Sequence, residues 1–131
     1  MNSQLLYFLL KLKNAAIYKK EIVTITYKPN YLLFLNLLYS EGYIQSFSVV
    51  YDANEGKKII IIYLRFYNNF FALSHLKLLS KQSCIRTVKY KQLSCNIYDV
   101  RKTFFITTSQ GLKTQIECKQ KQLGGSLVFM C

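Results

Sequence analysis

The sequence predicts an α+β fold in two small lobes, an N-terminal lobe of order α-β-α-β-β over residues 1–68 and a C-terminal lobe, mostly β with a short helix, over residues 69–131. Three observations carry that reading. Apolar residues recur at helical spacing near the start, short Ile/Val-rich runs alternate with turn formers up to residue 66, and Tyr67-Asn68-Asn69 interrupts the pattern. With 51% apolar and 15% aromatic residues, 131 residues can bury enough surface to offset the entropy of ordering.

Ser3 is placed to cap a helix whose apolar stripe is Leu5, Leu6, Leu9, Leu12 and Ala16, leaving Lys11 and Lys13 for another face. Glu21 to Tyr27 reads as a strand before Pro29, and Asn30 as the cap of a helix from Tyr31 to Ser40. Gly42 sits where a left-handed residue ends that helix. Tyr43–Tyr51 and Lys57–Phe66 form a hairpin around Asp52-Ala53-Asn54-Glu55-Gly56. Beyond the break, Leu73–Leu79 and Arg86–Tyr90 read as strands and Lys91–Asn96 as a turn of helix, without a decisive period. Phe104–Thr107 is strand-like, Thr114 caps a helix to about Gln122, and Gly124-Gly125 leads into a last strand, Ser126–Met130.

Eighteen Lys and Arg against six Asp and Glu give a net charge of +12, which calls for a polyanionic partner. Residues 1–70 carry 8 basic and 4 acidic groups and residues 71–131 carry 10 and 2, so +8 of the charge lies in the second half. No membrane insertion is expected, because the apolar runs fall short of the ~20 residues a bilayer requires. The N-terminus lacks a positive region before Leu5, and the first arginine is Arg65, so neither a secretory signal nor an Arg-rich transit peptide is expected.

Cys84, Cys95, Cys118 and Cys131 lack the close pairing of a zinc site and are expected to be reduced, packed thiols. No metal or other cofactor is expected. The six carboxylates show no paired spacing and the single His75 stands in no motif, so no enzyme class is favoured.

Thr107-Thr108-Ser109-Gln110-Gly111 joins a β-like run to the last helix and places three hydroxyls and a glycine in five positions. Hydroxyls bond to phosphate and to the ribose 2′-OH, and glycine removes bulk where RNA approaches the backbone. Ordinary turns have the same composition, and taken alone that plainer reading is favoured. Tyr90 and Tyr98 suit base stacking in principle, with core packing the better reading.

With Leu112 following, and with Leu123-Gly124-Gly125-Ser126 at matching separation, this segment resembles the C-terminal signature of the bacterial-type family of the eighth small-subunit ribosomal protein. That signature reads Ser-Thr-Ser-Lys-Gly, a hydrophobic residue, a helix, then Gly-Gly-Glu. Leu9-Leu10-Lys11-Leu12-Lys13-Asn14-Ala15 is similar to the family's Leu-Thr-Arg-Ile-Arg-Asn-Ala, and Ser40-Glu41-Gly42-Tyr43-Ile44 to its Glu-Glu-Gly-Phe/Tyr-Ile. The resemblance covers nearly the whole chain in order. It implies a structural constituent of the small subunit whose C-terminal lobe grips the central domain of small-subunit ribosomal RNA, with neighbouring small-subunit proteins as further partners and an early role in assembly. The RNA-binding residues expected are Lys11, Lys13, Asn14, Lys81, Arg86, Thr107, Thr108, Ser109, Gln110, Gly111, Gly125 and Ser126. Departures are Gln110 for the family's lysine, Ser126 for its glutamate, Lys81-Gln82-Ser83 for its Lys-Pro-Gly turn, and Thr87 where an aromatic is expected.

A free RNA-binding or RNA-chaperone module and a membrane-surface protein are the rival classes. Only four alanines accompany many Lys, Asn, Ile, Tyr, Phe and Leu residues, the bias of AT-rich coding sequence. The localisation expected is the mitochondrial matrix and its small ribosomal subunit, with a plastid or a bacterial cytoplasm as the alternative.

Overall fold

The computed structural model describes residues 3–68, 70–94 and 102–131. Asn69, Cys95, Asn96 and Tyr98, which figured in the expectations above, lie outside them. The chain divides into two compact units, passing from one to the other between His75 and Leu76. The architecture is α+β as expected, and no helix among the described residues is long and apolar enough to cross a membrane.

In the first unit, α1 (Ser3–Ile17) buries Phe8, Leu9, Leu12, Ala15 and Ala16. The stripe is therefore rotated from the one expected, because Phe8 rather than Leu5 or Leu6 fills the core. Ser3 is itself helical and so is not the cap. The helix ends with Lys19 at φ +56° and with the Lys19 and Lys20 amides donating to Ala16 and Ala15 carbonyls, a Schellman closure on a non-glycine residue.

After β1 (Ile22–Thr26), α2 (Pro29–Ser40) starts at the proline itself. Lys28, not Asn30, is the cap position, since the residue before proline is held extended and proline in the first turn gives up no hydrogen bond. Gly42, at φ +81°, closes α2: its amide donates to Tyr39 and that of Tyr43 to Leu38. Phe8 stacks on Tyr31 at 4.5 Å, and the Tyr31 hydroxyl donates to the Gln4 carbonyl at 3.1 Å, joining the two helices.

Strands β2 (Ile44–Asp52) and β3 (Lys57–Leu64) form the expected hairpin, and β1 adds to β3 to give an antiparallel sheet of order β1-β3-β2. Alternation buries Val23, Ile25, Ile60, Ile62 and Leu64 on one face. Tyr67 and Asn68 lie inside a small further hairpin of β4 (Phe66–Tyr67) with β5 (Phe70–Phe71), and a 3₁₀ turn, Ala72–His75, completes the unit.

The second unit contains β6 (Lys77–Leu78), β7 (Arg86–Val88), α3 (Tyr90–Ser94), β8 (Phe104–Thr108), β9 (Gly111–Thr114), α4 (Gln115–Gln120) and β10 (Gly125–Met130). The 3₁₀ turn takes the first part of the strand expected over Leu73–Leu79 and leaves only β6 of it, and β9 is a strand the sequence did not signal. Strand β8 lies between β9 and β10, while β6 and β7 pair in succession along the other edge of β10. One face of this sheet buries Val88, Leu93, Phe104, Ile106, Cys118 and Leu127 as a core cluster. Phe105 and Phe129 stack at 4.3 Å on the opposite face.

Cys84, Cys118 and Cys131 are free thiols, but only Cys118 is fully packed, and Cys84 is exposed, against the expectation of packed cysteines. Burial pushes the Cys131 thiol up to about 12 from 9.0 and raises that of Cys118 as well. A pKa raised by about 3 units leaves roughly a thousandth of the usual thiolate, the reactive form. Iodoacetamide at pH 8 should therefore alkylate Cys84 in the folded protein long before Cys118 or Cys131, which site-resolved mass spectrometry will check.

Candidate nucleic-acid interface

One end of the second unit's sheet is built from small and hydroxyl-bearing residues. Cross-strand register puts Thr87 of β7, Ser126 of β10 and Thr107 of β8 side by side, with Leu112 of β9 next in the row. Paired residues share a face, so three hydroxyls lie in line across three strands. Thr87 and Thr107 are exposed and Ser126 is half-buried.

Beyond this row the β8–β9 hairpin turns through Ser109 and Gln110, with Gly111 at φ +100°. A left-handed residue after the turn is what a three-residue hairpin connection needs, and glycine supplies it without strain. The Thr108 hydroxyl donates to the Gly111 carbonyl at 2.8 Å and accepts from the Gln110 amide at 3.2 Å. Its donor is spent inside the turn, so Thr108 sets the shape of the loop. Ser109 and Gln110 have exposed side chains with no hydrogen bond to another described residue.

The paired glycines are required by close approach. A Cβ on Gly125 would collide with the Thr107 carbonyl, and one on Gly124 would come within 2.8 Å of the Val88 carbonyl and 3.3 Å of Lys89 Cα. Thus Lys89, just ahead of α3, also belongs to this end of the sheet. The Lys89 amide donates to Gln92 Oε1 at 3.0 Å, a side-chain cap on that short helix. Thr114 caps α4 by accepting from the Glu117 amide at 3.4 Å, and Lys113 pairs with Glu117 at 3.8 Å. Both side chains are half-buried at the surface, where solvent screening holds such a pair to about 1 kcal/mol.

Along the outer edge of β10, Ser80 is 2% exposed. Its hydroxyl donates to the Leu127 carbonyl and accepts from the Arg86 amide at 3.0 Å. That clamp throws Lys81–Cys84 out as an exposed turn. Arg86 pairs with Leu127, one row inside the hydroxyl row.

Of the residues expected to bind RNA, the structure gathers Thr107, Thr108, Ser109, Gln110, Gly111, Gly125 and Ser126 at the sheet end, with Arg86 and the Lys81 turn along its edge. Lys11, Lys13 and Asn14 belong to α1 of the other unit. There Lys11 and Asn14 line one groove of about 550 Å³ between α1 and β1, and Lys13 is not among its lining residues. Two positions apart on a helix means about 200° of rotation, so Lys11 and Lys13 cannot serve one contact surface. Thr87 was missed. Its signal is the alternation in Arg86-Thr87-Val88, which turns Thr87 outward when Val88 is buried.

Comparison with known proteins agrees with this architecture. The family model described as Ribosomal protein S8 matches residues 4–131. The chain is 31% identical over 123 residues to the small ribosomal subunit protein uS8c of Bigelowiella natans, covering 91% of this chain and 90% of the relative. It is 28% identical to uS8 of Mycoplasmopsis pulmonis, covering 92% and 89%, and 26% identical to uS8 of Streptococcus uberis, covering 92% and 90%. Matched from residue 4 to its last residue, the chain belongs to the ribosomal protein S8 family.

Proposed function

We propose that this protein, a structural constituent of the small ribosomal subunit, holds the central domain of small-subunit ribosomal RNA with the open end of its second unit's sheet. The observation that carries this is the row Thr87–Ser126–Thr107 beside a hairpin tip of two unengaged polar side chains. A flat row of small hydroxyls lets a sugar–phosphate backbone lie against the sheet, and each hydroxyl both donates and accepts, as a ribose 2′-OH demands. Gly124 and Gly125 keep the strands close enough to hold the row in line. Lys81, Arg86 and Lys89 supply phosphate neutralisation around it, and Gln110 offers an amide at the tip. Neighbouring small-subunit proteins are further partners.

The composition supports synthesis from an AT-rich genome, and the mitochondrial small subunit is the location proposed, with a plastid or a bacterial cytoplasm as the alternative.

Titration with a central-domain RNA fragment tests the interface. Thr108→Val removes both hydroxyl bonds of the turn and should destabilise the fold by about 1 kcal/mol. Affinity should fall about five- to a hundredfold, through a loosened tip, for a loss of ~1–3 kcal/mol in the contact. Gly111→Val should be worse: its Cβ meets nothing within 4 Å, but φ +100° is hostile to a β-branched residue. Wild-type affinity in both variants, with normal circular dichroism, would place the RNA contact elsewhere.

A further inference from the structure

The groove between α1 and β1 is lined by Tyr7, Leu10, Lys11, Asn14, Tyr18 and Lys20 together with Ile22–Thr24. Tyr7, Lys11 and Asn14 fall at i, i+4 and i+7 on one stripe of α1, and Tyr18, one residue past its end, continues the stripe with its amide still donating to the Asn14 carbonyl at 2.9 Å. Both rings face solvent, Tyr7 at 63% and Tyr18 at 75% exposure. Steps of 1.5 Å separate them by about 16 Å along the helix axis, with the ammonium and amide groups of Lys11 and Asn14 between. No carboxylate lines the groove: Glu21, next in sequence to Lys20, lines a separate cavity with Gln45 and Tyr63. Neither Lys11 nor Lys20 has an ion-pair partner among the described residues.

Two exposed aromatic rings with an ammonium group between them, a second ammonium group beyond Tyr18 and no acid make an arrangement that takes single-stranded nucleic acid, in which bases stack on rings and phosphates meet ammonium groups. An apolar peptide would leave two ammonium groups unmatched. We infer that this groove holds a short unpaired run of RNA, with one base stacked on Tyr7, another on Tyr18, and phosphates of the run at Lys11, between the rings, and at Lys20, beyond Tyr18. Asn14 is placed to read a base edge or ribose between them. The inference rests on RNA being the partner of this chain, but it concerns a second contact, on the first unit and independent of the sheet end. The protein then holds a folded RNA element with one unit and an unpaired segment with the other.

The probe is a single-stranded hexaribonucleotide carrying 2-aminopurine, titrated with the full chain. Stacking should quench its fluorescence. Tyr7→Leu with Tyr18→Leu should abolish the quenching and weaken binding at least tenfold, since each base–ring stack is worth five- to a hundredfold. Both rings are exposed, so circular dichroism should be unchanged. Lys11→Gln with Lys20→Gln should flatten the logarithmic salt slope by about 1.4, two single-strand phosphate contacts. Gly111→Val, at the sheet end, should leave hexamer binding untouched. Undiminished quenching in the tyrosine variant, or an unchanged slope in the lysine variant, would overturn the groove assignment. A wild-type chain that binds the central-domain fragment but not the hexamer would overturn the groove alone, and one that binds neither would overturn the RNA reading as well.

Discussion

Gly125→Val should unfold the second unit's sheet at the end proposed to hold RNA and abolish RNA binding. The added Cβ meets the Thr107 carbonyl at a distance no pair of atoms sustains, so β10 must withdraw from β8. Withdrawal costs the pairing of Ser126 with Thr107 and of Leu127 with Ile106, and it loosens the core in which Ile106 and Leu127 are buried. Overpacking against rigid backbone falls in the upper range of core insertions, so a loss of about 3 kcal/mol or more is expected. Thermal unfolding by circular dichroism, beside an RNA titration, reads both effects. Gly124→Val is the companion, with the contact transferred to the Val88 carbonyl. A Gly125 variant with wild-type melting would mean that the strands can separate without cost, and the glycine pair would lose its structural explanation.

Binding to ribosomal RNA should also fall steeply with salt. About five phosphate contacts on a duplex element give a logarithmic slope near −4.5, so affinity should drop roughly five-hundredfold between 50 and 200 mM monovalent salt. The second unit contributes most of this slope, because +8 of the net +12 charge lies in residues 71–131. Among its described acidic groups, Glu117 is already paired with Lys113. A slope near zero would mean that the basic excess plays no part in recognition.

The first unit was largely legible because its signals are local. Proline and glycine bracket α2, Ile/Val alternation marks β1 and β3, and Asp52–Gly56 is a turn in which the Asn54 amide donates to Asp52 Oδ1 at 2.9 Å. The second unit was harder because long-range pairing decides its strands. Gly111–Thr114 carries one glycine, one leucine and one lysine, too little alternation to announce β9, and it is a strand because β8 offers it an edge. Likewise β6 and β7 are two and three residues long and exist through β10.

The loop at residues 107–111 was found through its hydroxyls and its place in a family pattern, but those hydroxyls do different things. Thr108 is turned into the turn, whereas Thr107 joins a row completed by residues 20 positions back in sequence and 19 positions on. The row Thr87–Ser126–Thr107 could not be read from sequence, since strand order and register create it. Lys11 and Lys13 show the reverse case: adjacent in the motif, they are separated by helical geometry that the sequence already contained.

Site-mapped photo-cross-linking inside purified small ribosomal subunits, with 4-thiouridine incorporated in the ribosomal RNA, addresses the central claim directly. Cross-links from the central domain to peptides containing Thr107–Gly111 and Gly125–Ser126 are the expected result. A chain absent from the small subunit, or present there with its RNA cross-links confined to peptides away from that sheet end, would contradict it.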